Sequence, residues 1–432
     1  MTIAGLLSLV ALTLAGVPIF LAMIIAAIII MVIGMGTDPI LQLYMIFNNL
    51  NTLQLLAVPL FLLMGHILAI GGAGPPLVRV MNAFMGHMRG GVAYAVIVAN
   101  VMVAAMCSSP IAGIAAFGPL MIPLMTKLGY SEKFAYGLVI CSACLEPLIP
   151  PSLITIFYSY IVGPYAEGES VSVITLWTGS IIPGLLLAAL LAATVYIHTR
   201  RGHFERLPRA TWTERWQALK KGWAVLLMPV VVLAPLYMGW TNPTESAAIG
   251  TLYVVLISIF VYRGLTPKVF WTASVSTLRV IGTVFAIVMG ALLIGKAVTL
   301  ANVPQDISIW LGDLGLDWWM LIFLLMIAFI IMGMFLDPTA IILLSVPLLV
   351  ASVLDANISL IAFGIFATLA VNLANITPPY GLVIFATMGV LNKPYGFIVR
   401  SIFLFIPAMV IGLLLVAFFP GLCTWLPAVT GK

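Results

Sequence analysis

The sequence predicts an all-α polytopic membrane protein built from two inverted repeats. Three observations predict it: an apolar composition, long apolar runs broken in their middles, and a gap-free internal register whose two halves carry loop charge of opposite sign. Of 432 residues, 63% are hydrophobic and only 7% charged. Soluble domains carry about 25% charged residues, so this chain cannot wet a globular surface. A membrane barrel would read as short alternating segments, and the runs here are long, so the spans are helices. At 46.3 kDa there is room for about ten crossings of roughly 20 residues each.

Apolar segments fall at 3–35, 54–70, 92–126, 134–162, 171–198, 223–240, 244–262, 270–300, 318–354, 358–390 and 397–420. The first lacks a basic leading region and a cleavage site, and it exceeds a signal-peptide core of about 7–15 residues, so a retained membrane segment is expected. The net charge of +5 and pI near 9.0 would suggest nucleic acid in a soluble chain. Here the basic residues gather in loops, which marks those loops as cytoplasmic. Segments 92–126 and 318–354 are too long for one straight span and too short for two. Each is broken centrally, by Cys107-Ser108-Ser109-Pro110 and by Gly333 to Pro338, which suits a helical hairpin entering and leaving by one face.

Charge gives these hairpins opposite senses. Arg79, Arg89, Lys127 and Lys133 flank the first, placing its ends in the cytoplasm, whereas Asp306, Asp313, Asp317 and Asp355 flank the second, placing its ends outside. Segment 134–162 leads to Glu167 and Glu169, and 358–390 leads to Lys393 and Arg400. A shift of 228 residues puts Pro110 on Pro338, Pro119 on Pro347, Leu120 on Leu348, Ser131 on Ser359, Pro150-Pro151 on Pro378-Pro379 and Phe157 on Phe385. Repeats with opposite loop charge are the mark of an inverted-repeat secondary transporter.

Between the repeats, 200–221 holds Arg200, Arg201, Arg206, Arg209, Arg215, Lys220 and Lys221 against Glu205 and Glu214. It is expected in the cytoplasm, with Trp212, Trp216, Leu219 and Trp223 at helical spacing along the headgroups. Trp240, Trp271, Trp318 and Trp319 stand at segment ends as interfacial anchors.

Chemistry is expected where each hairpin tip meets a helix broken by a proline pair. The breaks read Glu146-Pro147-Leu148-Ile149-Pro150-Pro151-Ser152 and Asn375-Ile376-Thr377-Pro378-Pro379-Tyr380-Gly381. Proline frees the carbonyl four residues earlier, and unpaired backbone at membrane depth persists only where it lines a cavity or binds something. Half-helix C-termini suit Na⁺, and half-helix N-termini suit an anion. Ser108, Ser109, Ser152, Thr339, Asn372, Asn375 and Thr377 add hydroxyl and amide oxygens at those places. Asp337 is an intramembrane carboxylate, read as a cation ligand or as the N-cap ahead of Pro338. Glu146 has Ala374 as its repeat counterpart, and tuning a substrate site, carrying a proton and snorkelling all stand open for it. Glu245 lies at a tight turn, where capping the following helix explains it as well as a functional role does, and Lys296 and Arg279 either pair or snorkel.

At these motifs the chain resembles the DctM-like large permease of tripartite ATP-independent periplasmic (TRAP) transporters. The resemblance rests on Ser108-Ser109 at the first tip, Pro147-Leu148-Ile149-Pro150-Pro151-Ser152, Pro243-Thr244-Glu245, Gly333-Met334-Phe335-Leu336-Asp337-Pro338 and Thr377-Pro378-Pro379. It spans from about residue 55 to the C-terminus. It implies a bacterial inner-membrane importer of organic acids in which a mobile body moves as an elevator against a scaffold. It also implies a small four-helix membrane subunit, a periplasmic substrate-binding protein and Na⁺ as coupling ion, without ATP. The Na⁺ ligands it implies are Ser108, Ser109 and Pro150 at one tip and Gly333, Asp337 and Thr377 at the other. Glu146, Ser152, Thr339, Asn372, Asn375 and Pro378 then fall to the substrate. Two departures stand out: Cys107 replaces the glycine usual before the serine pair, and Gly113 stands where that tip carries an acid.

The expected organisation is scaffold helices over 1–78, a first transport repeat over 79–170, scaffold over 171–305 with the basic loop 200–221, a second transport repeat over 306–396, and a C-terminal helix over 397–432. The rival reading is a stand-alone ion-coupled carboxylate transporter without a binding protein. An enzyme is disfavoured, because His66, His87, His198 and His203 form no H-E-x-x-H zinc motif and no histidine accompanies Ser108 or Ser109 as a base. No nucleotide-binding loop occurs. Cys141 and Cys144, though spaced C-x-x-C, sit in an apolar helix and read as small hydrophobes.

Overall fold

A computed structural model describes residues 2–34, 36–37, 40, 44, 52–166, 171–201 and 204–431. Glu167, Glu169 and His203 lie outside the described residues. Every regular element described is helical. Helices α1 (Thr2–Leu14) and α2 (Ile19–Ile28, continued by π-helical Ile29–Gly34) pack on one another. Segment 3–35 is thus two helices: Gly16, at φ 83°, adopts a left-handed conformation that side chains resist, and Pro18 follows.

Next come α3 (Leu53–Ile70) and α4 (Gly74–Met85). The first broken pair follows: α5 (Gly91–Ala104) and α6 (Pro110–Lys127) around the tip 105–109, then α7 (Glu132–Ala143) and α8 (Leu153–Val162) around the break 144–152. Four long helices come after, α9 (Val173–Arg201), α10 (Trp212–Tyr237), α11 (Pro243–Leu256, continued by π-helical Ile257–Val261) and α12 (Pro267–Leu300). Short α13 (Val303–Asp313) leads into the second set. There α14 (Trp318–Gly333) and α15 (Pro338–Asp355) flank the tip 334–337, and α16 (Leu360–Ala374) and α17 (Leu382–Leu391) flank the break 375–381. The chain closes with α18 (Tyr395–Ile402), α19 (Ile406–Phe418) and α20 (Gly421–Thr430).

Among the described residues, seven helices are long and apolar enough to cross a membrane: α3, α6, α9, α10, α15, α12 and α11 with its π extension. The helix expected over 397–432 is instead three. A 116° bend separates α17 from α18, and a 62° bend at Pro420 separates α19 from α20. The amphipathic stretch around Trp212 is no separate surface helix either. It is the first half of α10, capped by the reciprocal Thr211–Glu214 box, and runs on unbroken into the apolar part. Trp212, Trp216, Trp223, Trp240 and Trp271 are all exposed.

The 228-residue register reaches beyond the motifs: it carries α6 onto α15 end to end, α4 onto α13, and α3 onto the C-terminal half of α12. Asn372 donates its amide to the Cys144 carbonyl, and those two positions are themselves 228 apart. Equivalent positions touch only at the axis relating the repeats, so the two broken helices cross there. Packing is reciprocal as well. Helix α6 lies against α7 of its own repeat and α17 of the other; α15 lies against α16 and α8. Helix α16 has no exposed face, as a helix at the centre of a membrane bundle should.

The remaining helices sort by contact. α1, α2, α3, α10, α11 and α12 pack chiefly among themselves, whereas α9, α19 and α20 pack on the broken helices and hairpins. The equivalent helices α4 and α13 bridge the groups, α4 touching α10, α5 and α6, and α13 touching α12 and α15. At one end of the molecule Arg89 donates to the Thr199 and Arg200 carbonyls, the Glu205 amide donates to the Leu128 carbonyl, Tyr130 stacks on Phe204, and Lys393 pairs with Glu132 at 3.5 Å. Both bases of the first hairpin therefore share an end with the basic stretch. Helix α9, with 29 residues, spans about 43 Å. Its other end meets α20, whose Pro420 and Thr424 line one cavity with Trp318 and Asn357 at the base of the second hairpin.

Candidate functional site: two tips docked on two broken helices

Each tip is tied to its broken helix by the same amide. In the first repeat the Leu153 N–H, opening α8, donates to Ser108 Oγ at 3.0 Å. In the second the Gly381 N–H, at the equivalent position, donates to the Met334 carbonyl at 3.2 Å. A side-chain oxygen on one side is matched by a main-chain oxygen on the other. The Pro150–Pro151 and Pro378–Pro379 peptide bonds are both cis.

At the first site, Ser152 caps α8 by accepting from the Thr155 amide and donates to the Pro147 carbonyl at 2.5 Å. Trp177 of α9 donates its indole N–H to the Ser152 carbonyl at 3.2 Å and to Thr155 Oγ1 at 2.9 Å, pinning that half-helix. Ser109 precedes α6, and its hydroxyl makes no capping bond there. At the second site Asp337 caps α15, accepting from the Thr339 amide at 2.8 Å through Oδ1. The capping reading therefore holds, and the Thr339 hydroxyl and the Ala340 amide also turn to this carboxylate. Thr377 donates to Leu373 O at 2.8 Å, inside its own helix end. Gly333 abuts Ala374: a Cβ there would overlap the alanine methyl, so tip 2 sits flush on break 2.

The structure joins Ser108 to the start of α8 at the first tip, and Met334 and Gly333 to Gly381 and Ala374 at the second, while Asp337 and Thr377 bond within their own helix ends. Asn372 and Asn375 lie at the axis, buried, each with its Oδ1 unpartnered among the described residues. Four helix N-termini (α6, α8, α15 and α17) end at these two sites, and their aligned amides favour negative charge. Glu146 does not face outward. It is 0% exposed, which excludes snorkelling, and its carboxylate turns behind the first tip, with Oε2 3.7 Å from Cys107 Sγ. Lys296 and Arg279 are both exposed on α12.

Sequence reasoning missed the Leu153 and Gly381 amides, because main-chain donors leave no mark on a sequence. It also missed Asn100, buried in α5 with its Nδ2 on Ser142 Oγ at 2.8 Å. A lone amide side chain in an apolar run was the available signal.

A family profile described as the DctM component of tripartite ATP-independent periplasmic transporters matches residues 6–422. Among characterised relatives, the C4-dicarboxylate TRAP transporter large permease protein DctM of Pseudomonas aeruginosa is 33% identical over 88% of each chain. The ectoine/5-hydroxyectoine large permease of Ruegeria pomeroyi is 30% identical over 97% of each. The sialic acid large permease of Vibrio cholerae is 28% identical over 96% of this chain and 95% of its own. In three dimensions the chain is similar to the YdaH transporter of Alcanivorax borkumensis, with TM-score 0.60 and 16% identity over 89% of each chain. At that identity the likeness concerns the fold.

Proposed function

This chain belongs to the DctM family of TRAP transporter large permeases, and we propose that it imports organic acids through a bacterial inner membrane on a sodium gradient. Its relatives are transporter permeases, not enzymes. One observation carries the reading: each tip is tied by an equivalent amide to its broken helix, and the two broken helices cross at the axis of an inverted repeat. Ser108, Ser109 and the Pro150 carbonyl form one sodium site; Gly333, Asp337 and Thr377 form the other. An ion bridging tip and break holds the tip closed, so ion binding and substrate occlusion are one event.

The substrate lies between the sites, against Ser152, Thr339, Asn372, Asn375 and Pro378, with helix N-termini supplying positive potential. C4-dicarboxylates, sialic acid and ectoine, named for the relatives, all carry a carboxylate, which supports an organic acid here. The resemblance sets Glu146 with this group, yet its carboxylate turns to the back of the first tip. Helices α5–α9 and α14–α20 move as one body against α1–α3 and α10–α12, with α4 and α13 as the connecting arms; this puts α9, expected in the scaffold over 171–305, with the mobile group on its contacts with the broken helices. A small four-helix subunit braces the outer group, and a periplasmic binding protein delivers the substrate.

The test is the denaturation midpoint of the purified chain in NaCl against KCl and choline chloride at matched ionic strength. Sodium at about ten times its Kd stabilises the fold by about 1.4 kcal/mol for each site filled. The expected result is a sodium-specific rise, reduced by Ser109→Ala and by Asp337→Ala separately. Equal midpoints in all three salts would sink the reading.

A further inference from the structure

We propose that Asn100 and Glu146 form a third cation site, for a small monovalent ion such as Na⁺, buried behind the first tip. Both residues are 0% exposed, and Asn100 Oδ1 and Glu146 Oε1 have no hydrogen-bond partner among the described residues. Both oxygens converge on Gly113 of α6. A Cβ built there would overlap Glu146 Oε1 and lie 3.1 Å from Asn100 Oδ1.

The amide cannot resolve the conflict by flipping. Ser142 Oγ spends its hydrogen on the Leu138 carbonyl at 2.6 Å, so it accepts from Asn100 Nδ2, which also reaches the Val96 carbonyl. That fixes Oδ1 as the atom facing Glu146. The other carboxylate oxygen is already engaged, with Cys107 Sγ at 3.7 Å and the Ser109 main-chain N–H turned to the carboxylate. Two bare acceptors aimed at one point need either a cation or a shared proton between them, and a sodium response is what separates the first from the second. No Lys, Arg or His pairs with Glu146; among the described residues the one ion pair is Lys393–Glu132. Helices α5 and α7 end at Ala104 and Ala143 while α6 and α8 begin at Pro110 and Leu153, so helix ends of both signs lie around the first tip and leave no net positive centre there. Amide and carboxylate oxygens are hard donors, suited to Na⁺ rather than to a thiophilic metal.

The second repeat is an internal control. At the positions of Gly113 and Glu146 it carries Ile341 and Ala374, both fully buried, and Ala328 stands in place of Asn100. The same space is filled there by an apolar side chain from the opposite helix. Packing alone therefore does not call for a carboxylate at 146, and leaving such groups unpaired destabilises the fold.

This site goes beyond the two tip sites and stands on its own oxygens. Its test uses the purified full chain in lipid nanodiscs with the tip sites disabled by Ser109→Ala and Asp337→Ala together. A residual rise of the denaturation midpoint in NaCl over choline chloride should persist in that background, and adding Glu146→Gln or Asn100→Ala should abolish it. Should either substitution impair folding, the pair Gly113→Ile with Glu146→Ala grafts the packing of the second repeat. That graft should keep or raise the midpoint in choline chloride and lose the residual sodium response. The proposal is overturned if the tip-disabled protein has no sodium response, if the graft leaves that response intact, or if the response follows pH rather than sodium. A wild-type response unmoved by the tip substitutions would instead count against the tip sites alone.

Discussion

Two residues hold the tips in register, and they do so by different means. Ser108 accepts the Leu153 amide through a hydroxyl, so Ser108→Ala strips the partner from a helix-opening N–H at a cost of about 1–3 kcal/mol. Gly381 supplies the matching amide, and no side-chain substitution can remove the Met334 carbonyl it reaches. Its vulnerability is conformational. Gly381 sits at φ 60° and ψ 100°, and a Cβ would fall 2.7 Å from the Asn375 carbonyl. Gly381→Ala therefore combines backbone strain of about 1–3 kcal/mol with a clash against main chain that cannot swing aside. Both variants should melt below wild type in choline chloride, Gly381→Ala the lower, as read by tryptophan fluorescence. Midpoints equal to wild type would show that the amide ties do not hold the tips. The tips and breaks were legible because Ser, Asp and paired Pro interrupt apolar runs. The Gly381 tie was not, since its chemistry lies wholly in the main chain.

At the scale of elements, long apolar helices declared themselves and short polar ones did not. The helices α4 and α13 went unread because Arg79 and Asp306 sit within them and each is under one bilayer in length. Yet the register that relates Pro110 to Pro338 also relates these two arms, so the sequence held the relation without revealing the helices. Helix α10 was half read. Its tryptophan spacing was seen, while its continuity into the apolar part depends on a box that fixes its start: Thr211 accepts from the Glu214 amide, and the Glu214 carboxylate accepts from the Thr211 amide at 2.7 Å. An exposed N-cap of this kind contributes about 1 kcal/mol. Thr211→Ala should therefore speed hydrogen exchange in the first turn of α10, roughly fivefold for that energy, and leave exchange beyond Pro229 unchanged. Loss of protection along the whole helix would mean that the box supports more than its own turn.

The whole molecule is a chain folded twice in opposite senses and crossed at Cys144 and Asn372. The inversion sets the bases of the two hairpins to face different compartments. The first base is bound to the basic stretch through Arg89, Leu128 and Tyr130, and Lys127 and Lys133 stand beside it. The second base carries Asp317 and Asp355, the latter accepting from Ser308 Oγ at 2.5 Å, some 43 Å away along α9. Basic residues are retained in the cytoplasm and acidic ones set little, so orientation follows the first base. The four native cysteines are all buried, which makes a single introduced cysteine readable against a low background with a membrane-impermeant maleimide. Lys133→Cys should react only in inverted vesicles or permeabilised cells, and Asp317→Cys should react in intact spheroplasts. Reaction of both from one side would break the inverted repeat, and with it the crossing that sets two ion-binding tips against one substrate path. Reaction in the reverse sense would keep the repeat and turn the molecule over, placing the exposed Lys220 and Lys221 of α10 outside, against the charge bias that sets the topology of membrane proteins.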